Sequence, residues 1–144
     1  MRKRGFLSTW LAGYVNPTGF AEGIRTAPAP HWGLYAVTVR ALLDALLLYL
    51  PLALLGRQPS TPSWLTVLPT QRYYAASMLI APAIFLVQWL MLSALLHVVL
   101  RLLRRRSDID RLLVLSGMAA LVVGAFLVLW DWAFLLLGGR SPLA

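Results

Sequence analysis

Cysteine is absent from this chain, which excludes disulfides, thiolate zinc sites and cysteine nucleophiles and leaves the redox compartment open. Acid is scarce as well, with five Asp and Glu against thirteen Lys and Arg. There is no metal-ligand spacing, no glycine-rich phosphate loop, no Ser-His-Asp set and no carboxylate pair at catalytic distance. Enzymatic activity is therefore not expected, and no cofactor or metal is implied. Charge of both signs makes up only 12% of the 144 residues, against about 25% in soluble proteins. A soluble domain is excluded on that ground.

What the chain has is apolar length: 60% of its residues are hydrophobic and its mean hydropathy is +0.74. The run Tyr73 to Leu103 is followed by Arg104-Arg105-Arg106-Ser107-Asp108-Ile109-Asp110-Arg111 and then by a second run, Leu112 to Leu137. Each run exceeds the roughly 20 residues needed to cross about 30 Å of hydrocarbon. They predict two membrane spans joined by a cationic turn. A third span is expected nearer the N-terminus, from about Gly33 to Leu55, with Pro51 tolerated near its far end. The expected fold is all-α: a polytopic membrane protein with spans at about 33–55, 73–103 and 112–137, so that residues 31–144 form the transmembrane domain. Pro82 should bend the second span.

Residues 1–30 read as a cytoplasmic or interfacial amphipathic segment. Phe6, Leu7, Trp10, Leu11 and Tyr14 recur at helical spacing beside Met1-Arg2-Lys3-Arg4, the pattern of a short helix at the membrane surface. Ser8, Thr9 and Gly13 interrupt the apolar run and no small-residue cleavage site follows, so the N-terminus is expected to be retained. Asn16-Pro17 reads as an N-cap followed by proline at the first helical position of a second short helix ending near Thr26. Ala27-Pro28-Ala29-Pro30 is a stiff linker.

Basic residues set the orientation. Arg2, Lys3, Arg4, Arg25, Arg101, Arg104, Arg105, Arg106 and Arg111 fall on one side of the membrane, and Arg57, Arg72 and Arg140 on the other. The excess predicts a cytoplasmic N-terminus and turn with the C-terminus outside, as in the inner membrane of a bacterium. The net charge of +8 sits at helix ends instead of forming a stripe. That points to lipid headgroups and not to nucleic acid. In the turn, Ser107 is expected to N-cap the third span with Asp108 and Asp110 in its first turn.

Four polar residues fall inside spans. Arg40 and Asp44, four apart, share a face and can pair, and Gln88 and Asp131 lie on the other two spans. Such groups are expensive in hydrocarbon and often mark ion or substrate pathways. The structural alternative is an Arg40–Asp44 ion pair closing on Gln88, with Asp131 wetted near the far interface between Trp130 and Trp132. On the third span Gly117, Ala120, Gly124 and Asp131 project onto one narrow face, which with Ser116 suits close helix packing and is expected to point Asp131 at protein. Ser77, Ala81 and Gln88 form a comparable stripe on the second, as do Gly33, Arg40, Asp44 and Pro51 on the first. His97, two turns after Trp89, is the candidate ligand should the chain bind haem or a pigment; the alternative places it at headgroup level beside Arg101.

Asn16-Pro17-Thr18-Gly19-Phe20 opening a short helix, Thr26-Ala27-Pro28 closing it, and Gln88 to His97 leading through Arg101-Leu102-Leu103 into the turn make the chain resemble the bacterial type of the Yip1-domain family over roughly residues 15–125. The resemblance implies a helical membrane protein. Family members commonly have about five spans, whereas three are expected here, and the Asp-Leu-Tyr-Gly-Pro signature of the eukaryotic members is missing. A chain with fewer spans and one small-residue face is expected to work with partners, as an accessory subunit or a homo-oligomer, with a haem- or pigment-binding subunit and a small transporter as the alternatives.

Overall fold

The computed structural model describes residues 5–25, 31–57 and 70–136. All regular structure in them is helical: α1 (Phe6–Val15), α2 (Pro17–Arg25), α3 (His31–Leu54), a 3-10 turn (Thr70–Arg72), α4 (Tyr73–Leu102) and α5 (Ile109–Leu136). Helices α3, α4 and α5 are each long and apolar enough to cross a membrane, which makes the chain an all-α integral membrane protein, and their bounds fall within a few residues of the expected spans. The N-terminal basic cluster, the linker Ala27-Pro28-Ala29-Pro30, the loop containing Pro59, Pro62, Trp64 and Pro69, and Gly138-Gly139 with Arg140 lie outside the described residues.

The two short N-terminal helices form where capping chemistry places them. Pro17 opens α2, and Asn16 accepts a hydrogen bond from the Gly19 amide at 2.8 Å through its side chain, satisfying a donor that the first turn leaves free. The pair is docked on the third span. The Tyr14 hydroxyl donates to the Val122 carbonyl at 2.8 Å, about 20 Å along α5 from Ile109 at ~1.5 Å per residue. At the other end of α1, Phe6 packs edge-on against Trp32, with ring centroids 5.6 Å apart. Ile24 of α2 joins Trp32, Ala36, Val114, Met118 and Leu121 in a core on the turn side of the bundle.

Helices α3 and α5 run parallel and touch most closely through glycines. A Cβ on Gly117 would lie 2.5 Å from the Gly33 carbonyl oxygen and 2.7 Å from its Cα, so these two backbones meet with no side chain between them. Seven residues further on in both helices, the Arg40 side chain lies across Gly124. A shared step of seven is the repeat that keeps two helices in contact along a left-handed crossing. The buried positions Val114, Gly117, Leu121, Gly124, Val128 and Asp131 follow that seam. Ala120, expected on the packing face, is exposed instead, because the seam steps four and then three from Gly117, through Leu121 to Gly124, and leaves Ala120 beside it.

Near its far end α3 widens into a π turn over Ala45–Tyr49, in which the Leu50 amide bonds to the Ala45 carbonyl. Pro51 explains it. Proline has no N–H to offer the carbonyl four residues earlier, that of Leu47, and its ring crowds that carbonyl. The Trp132 indole N–H of α5 donates to the Leu47 oxygen at 3.0 Å. In hydrocarbon an unpaired carbonyl costs several kcal/mol, and a neighbouring helix is the usual way to satisfy one freed by proline. By contrast, α4 continues as an α-helix through Pro82.

The turn between α4 and α5 departs from expectation at its cap. Asp108, and not Ser107, caps α5: its carboxylate accepts the Asp110 amide at 3.1 Å and its carbonyl accepts the Leu112 amide at 3.1 Å. Ser107 lies one residue outside, where its hydroxyl hydrogen-bonds His97 Nδ1 at 2.9 Å. The end of α4 closes with the Arg105 amide bonding the Leu100 carbonyl and the Arg104 amide bonding that of Arg101. This closure needs a left-handed residue, and Arg104 supplies it at φ 56°.

Candidate functional site

The α3–α5 seam, built from small residues over its first half, becomes polar in its second. Arg40 and Asp44 pair on one face of α3, with side chains 12% and 4% exposed. Gly124 makes room for the arginine, since any side chain there would overlap the Nε, Cδ and Cζ atoms of Arg40. From α4, Phe85 presents its ring 5.5 Å from the guanidinium carbon, a cation–π distance that gains strength where water is excluded. Three helices thus enclose one cation.

Asp131 lies on the packing seam with Gly117 and Gly124, as its shared face predicts, whereas Gln88 stands apart from the ion pair. Asp131 is 6% exposed and so is buried instead of wetted. It faces Arg40 and Asp44 closely enough to act on both electrostatically, and its carboxylate makes no hydrogen bond or ion pair with a described residue. With both acids ionised the cluster would carry two negative charges against one positive. Gln88 does not close on the ion pair. It is exposed halfway along α4, hydrogen-bonds no described residue, and lines a lateral cavity of about 180 Å³ together with Tyr49, Tyr73, Ser77, Ala81 and Phe85. The expected stripe Ser77, Ala81 and Gln88 is therefore one wall of an opening beside the buried cation.

Toward the turn, α4 is fastened to α5 by a set of bonds that the sequence reading missed. The Trp89 indole donates to the Leu113 carbonyl at 3.0 Å, and the Ser93 and Ser116 hydroxyls meet at 2.7 Å. Each hydroxyl also has a carbonyl four residues back within reach at 2.8 Å, Trp89 for Ser93 and Leu112 for Ser116, so with one proton apiece one serine donates within its own helix and the other donates across to its partner. Ser93 lies nine residues before the end of α4 and Ser116 seven after the start of α5, comparable heights above the turn, and that spacing was the available signal.

His97 Nδ1 is engaged by Ser107, and no group of three or more His, Cys, Asp or Glu residues suited to a metal ion occurs among the described residues. Of the turn arginines, Arg111 reaches Asp108 at 3.3 Å, with both side chains well exposed. Pairs so exposed contribute little to stability. Arg101, Arg104, Arg105 and Arg106 are likewise exposed.

No family model matches the chain, and neither the curated proteins nor the solved structures contain a significant match.

Proposed function

We propose that this is a non-enzymatic membrane protein that acts through helix–helix contacts, as a subunit of a larger assembly or of an oligomer of itself. Gln88 carries the reading. An amide halfway along a span, facing outward with no partner among the described residues, is poorly suited to lipid tails and well suited to a neighbouring helix, to which it can both donate and accept. Helix α4 is also the least covered of the three spans, with Leu79, Val87, Met91 and Leu95 all exposed. In this reading the chain lies in a bacterial inner membrane with its N-terminus and the arginine turn in the cytoplasm, as its basic residues direct. It is then a relative of the bacterial Yip1-domain proteins, with Asn16 to Phe20 as its opening motif.

The absence of cysteine makes the test direct. Gln88→Cys and Met91→Cys, oxidised in native membranes, should cross-link: a product of twice the chain mass would identify a second copy, and any other mass a different subunit. Leu54→Cys, on α3, is the control. If Gln88→Cys and Met91→Cys stay monomeric while Gln88→Leu leaves size and stability in native detergent unchanged, α4 faces lipid alone and the proposal fails.

A second reading, a small transporter, is favoured by one observation, the buried carboxylate of Asp131 beside Arg40 and Asp44. Asp131→Asn would then preserve assembly and abolish uptake of a solute in reconstituted vesicles. Loss of assembly would assign Asp131 to packing.

A further inference from the structure

A cleft at the turn-side end of the bundle unites parts of the chain that are far apart in sequence. Arg25, the last residue of α2, lies across it from Arg106 of the turn and Arg111 of α5. Ala21, Ile24 and Leu115 are among the residues that give it an apolar floor, and its volume is about 490 Å³. The position of Arg25 is set by the fold: Ile24 beside it is 7% exposed and anchored in the core formed with Trp32, Val114, Met118 and Leu121. Asp108 is the acid on the rim, and it is held by Arg111 and by its own capping bond. Arg25 and Arg106 pair with no described residue.

We propose that this cleft binds an anionic glycerophospholipid. Its phosphate would sit among Arg25, Arg106 and Arg111, and the upper part of an acyl chain would lie over Ala21, Ile24 and Leu115. The placement selects this ligand. The cleft lies where α4 ends and α5 begins, which in a membrane-spanning bundle is headgroup level, and it is cationic at the rim and apolar below. Basic pockets between spans suit lipid headgroups for that reason. A soluble anion would use the arginines and leave the floor uncovered. The site is narrower than the arginine turn, for Arg101, Arg104 and Arg105 do not line it.

The experiment uses the full-length protein in neutral detergent, titrated with phosphatidylglycerol, phosphatidylcholine or inorganic phosphate and read by native mass spectrometry and thermal denaturation. Phosphatidylglycerol should remain bound and raise the melting temperature, and phosphatidylcholine should do neither. Arg25→Gln and Arg106→Gln should each weaken binding about fivefold, the equivalent of about 1 kcal/mol per basic residue near an anionic surface. Arg104→Gln and Arg105→Gln should have little effect. Ala21→Trp keeps every charge while filling the floor, and it should abolish lipid retention. Because Arg106 lies in the exposed turn, Arg106→Gln remains a valid test if Arg25→Gln does not fold. Equal binding of phosphatidylcholine would overturn the proposal, as would full displacement by inorganic phosphate, or equal losses for Arg104→Gln and Arg106→Gln.

Discussion

Replacing Gly124 by alanine tests whether the α3–α5 seam is built around the buried cation. The new methyl would occupy the volume of the Arg40 guanidinium stem, so Arg40 must swing away from both Asp44 and Phe85. Overpacking a tight contact costs about 1–3 kcal/mol. Separating a buried ion pair adds to this, with an upper limit of about 3–5 kcal/mol when one charge is left with no partner; an arginine that swings aside keeps part of its solvation. A total of about 3 kcal/mol is expected, roughly a hundredfold in the folded population. Reversible unfolding in mixed micelles measures it. The decisive comparison repeats the substitution in an Arg40→Ala/Asp44→Ala background, where the methyl enters space the arginine has vacated. There Gly124→Ala should cost nothing or stabilise. Gly117→Ala, which meets the Gly33 backbone, should cost the same in both backgrounds. A penalty for Gly124→Ala below about 0.5 kcal/mol, or one that persists without Arg40, refutes the reasoning.

Three further predictions concern single contacts. Trp132→Phe removes the donor to the Leu47 carbonyl and should destabilise by about 0.5–1.5 kcal/mol, as intramembrane hydrogen bonds do; Pro51→Ala restores an N–H four residues on, so the same substitution in that background should cost measurably less. Arg104→Gly relieves a left-handed residue and should stabilise by about 1 kcal/mol in the same unfolding assay, since that conformation costs an L-residue about 1–2 kcal/mol. Thr9 is fully buried in α1 and its hydroxyl has no hydrogen-bond partner among the described residues. Thr9→Val should raise the melting temperature, because an unsatisfied buried hydroxyl costs about 1–3 kcal/mol, and a fall in melting temperature would show that the hydroxyl is satisfied.

Much of the architecture was legible because membrane physics acts on sequence locally. Hydrocarbon thickness sets the length of a span, so the runs at 73–103 and 112–137 could be read as helices without knowing what they touch. Asn16 and Pro17 likewise announce a helix start through bonds made within one turn. The turn cap was misread by one residue because Ser107 and Asp108 are both good caps. The choice between them fell to His97, which hydrogen-bonds the serine from ten residues away. Ala120 was misplaced for a related reason: small residues show that a face can be approached, whereas the partner's register determines which of them is.

The sequence by itself determined that the protein is helical, that it lies in a membrane, where the three long apolar helices among the described residues fall, and that Arg40 can pair with Asp44. Each of these depends on residue type within a few positions along one chain segment. Only the tertiary structure decided which groups meet across segments: Arg40 on Gly124, Trp132 on the carbonyl that Pro51 leaves free, Asp131 buried beside the ion pair, Gln88 left facing outward, and Arg25 brought to Arg106 and Arg111. The physical reason is that helix packing in lipid has little hydrophobic gradient to follow. It is settled by close fit and by the pairing of polar groups between helices, and neither is written in the periodicity of any one of them.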